Sequence, residues 1–167
     1  GCEGNHEHYG NYDAWIAKIE NLGIRLLKNA HTVLDVPGRN AKICLAGLAD
    51  RMGARFGRET PDVKRALEGA PDIKTVPRIQ LVHQPKGFPS YRAEADFTLQ
   101  LSGHTHGGQI TGFDRGVAIM NGLFVRGEYA LEDGTKLYVH PGSGVWNGFP
   151  FRVGVPAEIA RITLVKA

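Results

Sequence analysis

The sequence is poor in several things that decide what a chain can be. It holds two cysteines, Cys2 and Cys44, in 167 residues. Two cysteines make neither a disulfide framework nor a thiolate zinc site, and they fit a reducing compartment. No apolar run approaches the roughly 18 residues of a membrane-spanning helix; the best, Ile43 to Ala49, has the length of a strand. Excess charge of one sign is also missing. Twenty Lys and Arg against 17 Asp and Glu leave +3 with histidine neutral, too little and too evenly spread to predict a nucleic-acid surface. The 22 glycines follow no collagen period and form no low-complexity block. There is no internal repeat, no linker composition and no signal-peptide pattern. What remains is one unit over residues 1–167, whose 42% hydrophobic content is ordinary for a globular domain.

Periodicity supplies a coarse map. Tyr12, Trp15, Ile16 and Ile19 fall at helical spacing and predict a helix over Asn11 to Leu22, capped by Asn11 and ended by Gly23. Short β-type runs follow at Ile24 to Leu27, Thr32 to Val36 and Lys42 to Ala46, the last two joined by a Pro37–Asn40 turn. Thr60-Pro61-Asp62 reads as a helix start, running to about Leu67. Ile79 to Val82 and Phe97 to Leu101 read as buried strands. Asp133-Gly134 marks a hairpin between Tyr129–Leu131 and Lys136–Val139, and Ile159 to Val165 reads as a closing strand. Helices first and strands later predict a mixed α/β fold with a partly antiparallel sheet.

The chemistry concentrates where apolar strands end. His83 follows Ile79–Val82, and Ser102-Gly103-His104-Thr105-His106-Gly107-Gly108 follows Phe97–Leu101. Imidazole is the commonest protein metal ligand, and glycines let backbone approach an ion or phosphate closely. A bare His-x-His is more often two surface histidines in a polar turn. Three histidines at the ends of two apolar strands are a less ordinary coincidence. Asn5-His6 adds an amide oxygen suited to a hard divalent cation and a further imidazole. His8, His31 and His140 lack such settings and read as structural.

Gly4-Asn5-His6-Glu7, Leu81-Val82-His83-Gln84-Pro85 and Gly103-His104-Thr105-His106-Gly107-Gly108-Gln109, in that order, resemble the calcineurin-like metallophosphoesterases, with the likeness running through the whole chain. It lies nearest a bacterial, membrane-associated branch acting on phosphoesters or nucleotide-lipid pyrophosphates. The resemblance implies a two-sheet sandwich of mixed sheets flanked by helices. It implies Asn5, His83 and His104 on one divalent metal, His106 on a second, and His6 beside the substrate as the catalytic group. Mn, Fe, Zn or similar ions suit such nitrogen and oxygen donors. A pair of cations about 3.5 to 4 Å apart supplies an activated hydroxide and neutralises the phosphoryl group.

The chain departs from that pattern in lacking the family's upstream Asp-x-His and Gly-Asp-x-x-Asp segments. The expectation is therefore a carboxyl-terminal portion, incomplete at its amino-terminal end. It would hold one ion or none by itself, because neutral donors alone do not offset the repulsion of two dications. An isolated chain of this kind is expected to be inactive or weakly active. The alternative is a non-catalytic module holding one metal or a phosphate ligand. Further expectations are a phosphoester substrate, lipid- or nucleotide-linked; a cytoplasmic or peripheral-membrane location without secretion, with any membrane association through a segment before Gly1; and self-association along an exposed sheet edge. Trp146, Phe149, Phe151 and the run Phe88–Tyr91 read either as an apolar lip for a lipid substrate or as sheet packing. Arg51, Arg55 and Arg58 read as a phosphate-meeting or merely solvated basic loop.

Overall fold

A computed structural model describes residues 1–146 and 149–165. Helix α1 (Tyr12–Asn21) begins where the Asn11 side chain accepts the Ala14 N–H at 3.1 Å. A hairpin follows, β1 (Ala30–Asp35) antiparallel to β2 (Lys42–Gly47). Asp62, rather than Thr60, caps the single turn of α2 (Val63–Ala66). Strand β3 (Arg78–Leu81), helix α3 (Phe88–Glu94) and strand β4 (Leu99–Ser102) come next. They lead to α4 (Asp114–Met120) and the hairpin of β5 (Gly127–Ala130) with β6 (Lys136–Val139).

The six strands form one sheet in the order β1-β2-β3-β4-β6-β5. β2, β3, β4 and β6 run parallel, with their carboxyl ends on one side. That is where sites gather in α/β sheets. The register aligns Ala46, Gln80, Gln100 and Leu137 across the sheet. These residues share a face with Leu48, Val82 and Val139, which pack with Val63 and Ala66 of α2 and Phe88 and Tyr91 of α3. Burying side chains of this size stabilises by roughly 1.5 to 3 kcal/mol each before entropy is counted. On the opposite face Leu45, Leu81, Leu101 and Tyr138 are only half-buried.

The fold is thus α/β, a mixed sheet with flanking helices, as the sequence implies. The second sheet of a sandwich is not formed among the described residues. Ile24–Leu27 pairs with no strand; its backbone bonds include Gly1 N–H to Arg25 O and Leu27 N–H to Gly1 O, each 2.8 Å. Ile159–Val165 forms no strand, and Ile159 is 94% exposed. A strand is a pairing relation, and neither segment forms a ladder with a strand among the described residues. No helix of the described residues is long and apolar enough to cross a membrane.

Candidate metal centre

The parallel strand ends hold the histidines side by side. Beyond β3, Val82 N–H donates to Leu101 O and Gly103 N–H donates to His83 O, each at 3.0 Å, so the ladder continues into the loops. The loop after β4 is backbone-strained. His104, His106 and Gln109 have φ of 69°, 50° and 55°, a region non-glycine residues rarely enter and one that clusters at functional loops. Surrounding bonds hold that shape. Thr105 Oγ1 donates to Val125 O at 2.6 Å, while the Gln109 side chain donates to Phe149 O and accepts Trp146 N–H. Gly108, at φ 82°, must lack a side chain, because a Cβ there would lie 2.5 Å from Asp114 Cα.

Asn5 reaches the same place from the start of the chain. Its Nδ2 donates to Tyr9 Oη at 2.9 Å, which leaves Oδ1 facing the histidines. Oδ1 lies 2.7 Å from His83 Nε2 and 3.1 Å from His104 Nδ1, and the two nitrogens are 3.2 Å apart. Two neutral imidazoles carry one N–H each, on either nitrogen, and the amide oxygen carries none. In the tautomers that carry the N–H on the other ring nitrogen, three lone-pair atoms face one another within these distances, an arrangement that suits a cation. Burial lowers the pKa of both His83 and His104 to about 4, with His83 adding to the effect on His104. Both rings are therefore uncharged near neutral pH, the state a metal ligand requires.

His6 and His106 line the same cleft, of about 160 Å³, with Val117, Met120 and Trp146. His6 is exposed, its ring edge-on to Tyr9 at 5.2 Å. Burial pushes the His106 pKa down, and the ring lies 5.7 Å from that of Trp146. A larger open groove of about 530 Å³, bordered by Arg51, Lys86 and Tyr91, contains no histidine. Chemistry rather than size therefore selects the smaller cleft.

The other histidines lie elsewhere. His8 is buried against Tyr12, with ring centroids 4.9 Å apart; His31 Nδ1 sits 2.9 Å from Ala66 O; and His140 Nδ1 accepts Gly142 N–H. Phe88 and Tyr91 are core residues of α3, so they form no lip, whereas Phe149 and Phe151 are exposed. Arg51 to Phe56 form a 3-10 helix rather than a loop, capped by Asp50.

Sequence reasoning missed two buried acids. Glu3 and Asp50 are each 3% exposed. Burial pushes the Asp50 carboxyl above its usual value, opposed by hydrogen bonds from Met52 N–H and Gln84 Nε2. Asp50 had a visible signal: like His83 and His104, it follows an apolar strand run, Leu48-Ala49, at a carboxyl end of the sheet. Neither acid joins the donor set, and no group of three or more His, Cys, Asp or Glu among the described residues is arranged to hold a metal.

A strand-end cleft in which an amide oxygen and two uncharged imidazoles converge defines this as an α/β domain with a metal-type donor set. Comparison with known proteins narrows the class. The chain is 36% identical over 98% of its length to a Danio rerio protein named transmembrane protein with metallophosphoesterase domain, of which it covers 38%. It is 39% identical over 96% of its length to an uncharacterized metallophosphoesterase of Campylobacter jejuni, covering 40% of that protein. It is 33% identical to one from Helicobacter pylori, over 97% of this chain and 41% of the relative. No family model and no solved structure matches it. The chain thus shares its sequence, through nearly its whole length, with proteins named metallophosphoesterases, in keeping with the resemblance of its motifs to the calcineurin-like metallophosphoesterases. It spans about two fifths of the length of these relatives.

Proposed function

We propose that this chain carries the histidine-rich part of the metal centre of a phosphoesterase that hydrolyses phosphomonoester, phosphodiester or pyrophosphate bonds. The observation that carries the reading is the convergence of Asn5 Oδ1, His83 Nε2 and His104 Nδ1 within 3.2 Å of one another. A divalent ion supplies Lewis acidity toward the phosphoryl group and an activated water as nucleophile. In this reading Asn5, His83 and His104 hold one ion, and His106 contributes to a second. His6, exposed at the cleft, in this reading stabilises the phosphoryl oxygens or gives a proton to the leaving oxygen. The donors are all uncharged, so a two-ion centre takes its carboxylates from outside these 167 residues, as the family pattern of Asp-x-His and Gly-Asp-x-x-Asp implies. Exposed Phe149 and Phe151, and relatives named as transmembrane proteins, support a lipid-linked phosphoester met at a membrane surface.

One observation favours a second reading, a non-catalytic module holding a single ion or a phosphate ligand: among the described residues no carboxylate oxygen joins the donors. Hydrolysis of p-nitrophenyl phosphate and bis(p-nitrophenyl) phosphate by the intact protein, with Mn²⁺ titrated in, separates the two. Ion-dependent hydrolysis that His104→Ala abolishes is the expected result. Tight binding of one ion with no turnover of either ester would leave the binding module standing instead.

A further inference from the structure

Glu3 and Asp50 are buried carboxylates that the proposed chemistry does not use. A buried carboxylate is costly unless it is paired or hydrogen-bonded. Glu3 is heavily engaged. Its Oε1 accepts the Asp50 N–H at 2.9 Å, its Oε2 accepts the Tyr12 hydroxyl, and His8 Nε2 lies 3.3 Å from Oε1. It thereby joins the segment leading to Asn5, the start of α1, and the loop after β2. Asp50 extends the chain of contacts. Its Oδ1 accepts Gln84 Nε2 at 2.8 Å, and Gln84 is the residue after His83. The two acids therefore tie the residue two before Asn5 to the side chain of the residue after His83.

Asp50 Oδ2 has no hydrogen-bond partner among the described residues although it is buried. An unpaired carboxylate oxygen behind a set of uncharged donors has a negative potential to contribute and no local use for it. Outer-shell carboxylates commonly fix first-shell ligands and tune the metal.

We propose that Asp50, anchored through its backbone by Glu3, is a positioning residue that sets the Asn5–His83 spacing and supplies the negative potential the neutral donors lack. The inference rests on the reading of these donors as a metal centre, but it does not need that centre to be catalytic. Asp50→Asn keeps the shape and the acceptor toward Gln84 while removing the charge. In the intact protein it is expected to weaken Mn²⁺ binding, read by calorimetric titration, about 10-fold or more. The melting temperature of the metal-free protein should stay within a few degrees of wild type. A merely structural carboxylate would lower that melting temperature and leave the affinity of the folded fraction unchanged. Gln84→Leu breaks the bridge and leaves both acids, and a several-fold loss of Mn²⁺ affinity is expected. If Asp50→Asn fails to fold, Gln84→Leu decides alone. Wild-type affinity in the variant that folds overturns the proposal. If the wild-type protein binds no divalent ion, this inference and the metal-centre reading fall together; if it binds tightly and Asp50→Asn binds equally, only this inference falls.

Discussion

The two sides of the histidine cleft are built differently. His83 and His104 sit on a platform of parallel strand ends with Asn5 brought against them from the start of the chain, the donor atoms 2.7 to 3.2 Å apart and the imidazoles kept neutral by burial. His6 and His106 meet aromatic rings instead, Tyr9 at 5.2 Å and Trp146 at 5.7 Å, with His6 exposed to solvent. One side is organised by the chain's own sheet. The other supplies single imidazoles that need further groups to become a ligand set. A fold can thus preorganise half a metal centre and leave the other half dependent on what is brought to it.

The sharpest way to break that contrast is to delete one imidazole at a time. His83→Ala or His104→Ala should weaken Mn²⁺ binding about 100-fold or more, since each removes one of three donors from a fixed set. His106→Ala should change it less than about 3-fold while reducing ester hydrolysis in the intact protein. Equal losses from His104→Ala and His106→Ala in a calorimetric titration would show the two sides to be one site.

Acid gives the next largest effect. The folded pKa values of His83 and His104 lie near 4, below the ordinary 6.5, so the unfolded chain binds more protons between those limits. Folding stability without metal should therefore be full above about pH 6.5, fall as pH drops toward 4, and level off below that. Urea unfolding at a series of pH values checks this. A double variant with both histidines replaced by glutamine should lose much of that slope.

The smallest effect is expected at Tyr9. Tyr9→Phe removes the acceptor that orients the Asn5 amide and should weaken Mn²⁺ binding a few-fold, well short of Asn5→Ala. An unchanged affinity would show that Oδ1 is directed by the histidines alone.

Much of this was legible in the chain. Apolar runs ending in a histidine predicted the placement of His83 and His104, because a parallel strand hands its next residue to one side of the sheet. The hairpin around Asp133-Gly134 and the Asn11 cap were local signals and are realised locally. What was hidden is non-local. The β-type composition of Ile159–Val165 announces a strand but cannot say whether a partner lies beside it. Phe88 and Tyr91 carried no mark separating a cleft lip from a core helix. Glu3 and Asp50 are ordinary acids in sequence and become neighbours only when segments 47 residues apart meet.

Asn5 lies 78 residues from His83 and 99 from His104 along the chain, while α1, which follows it, buries only Tyr12. An ion held by all three residues would act as a clasp across two long loops. Cross-links closing loops of roughly 80 to 100 residues remove on the order of 4 to 5 kcal/mol of chain entropy from the unfolded state. Chelation would then undo a fastening as well as a chemistry, and the opening helix would be the first part of the molecule to open to a protease.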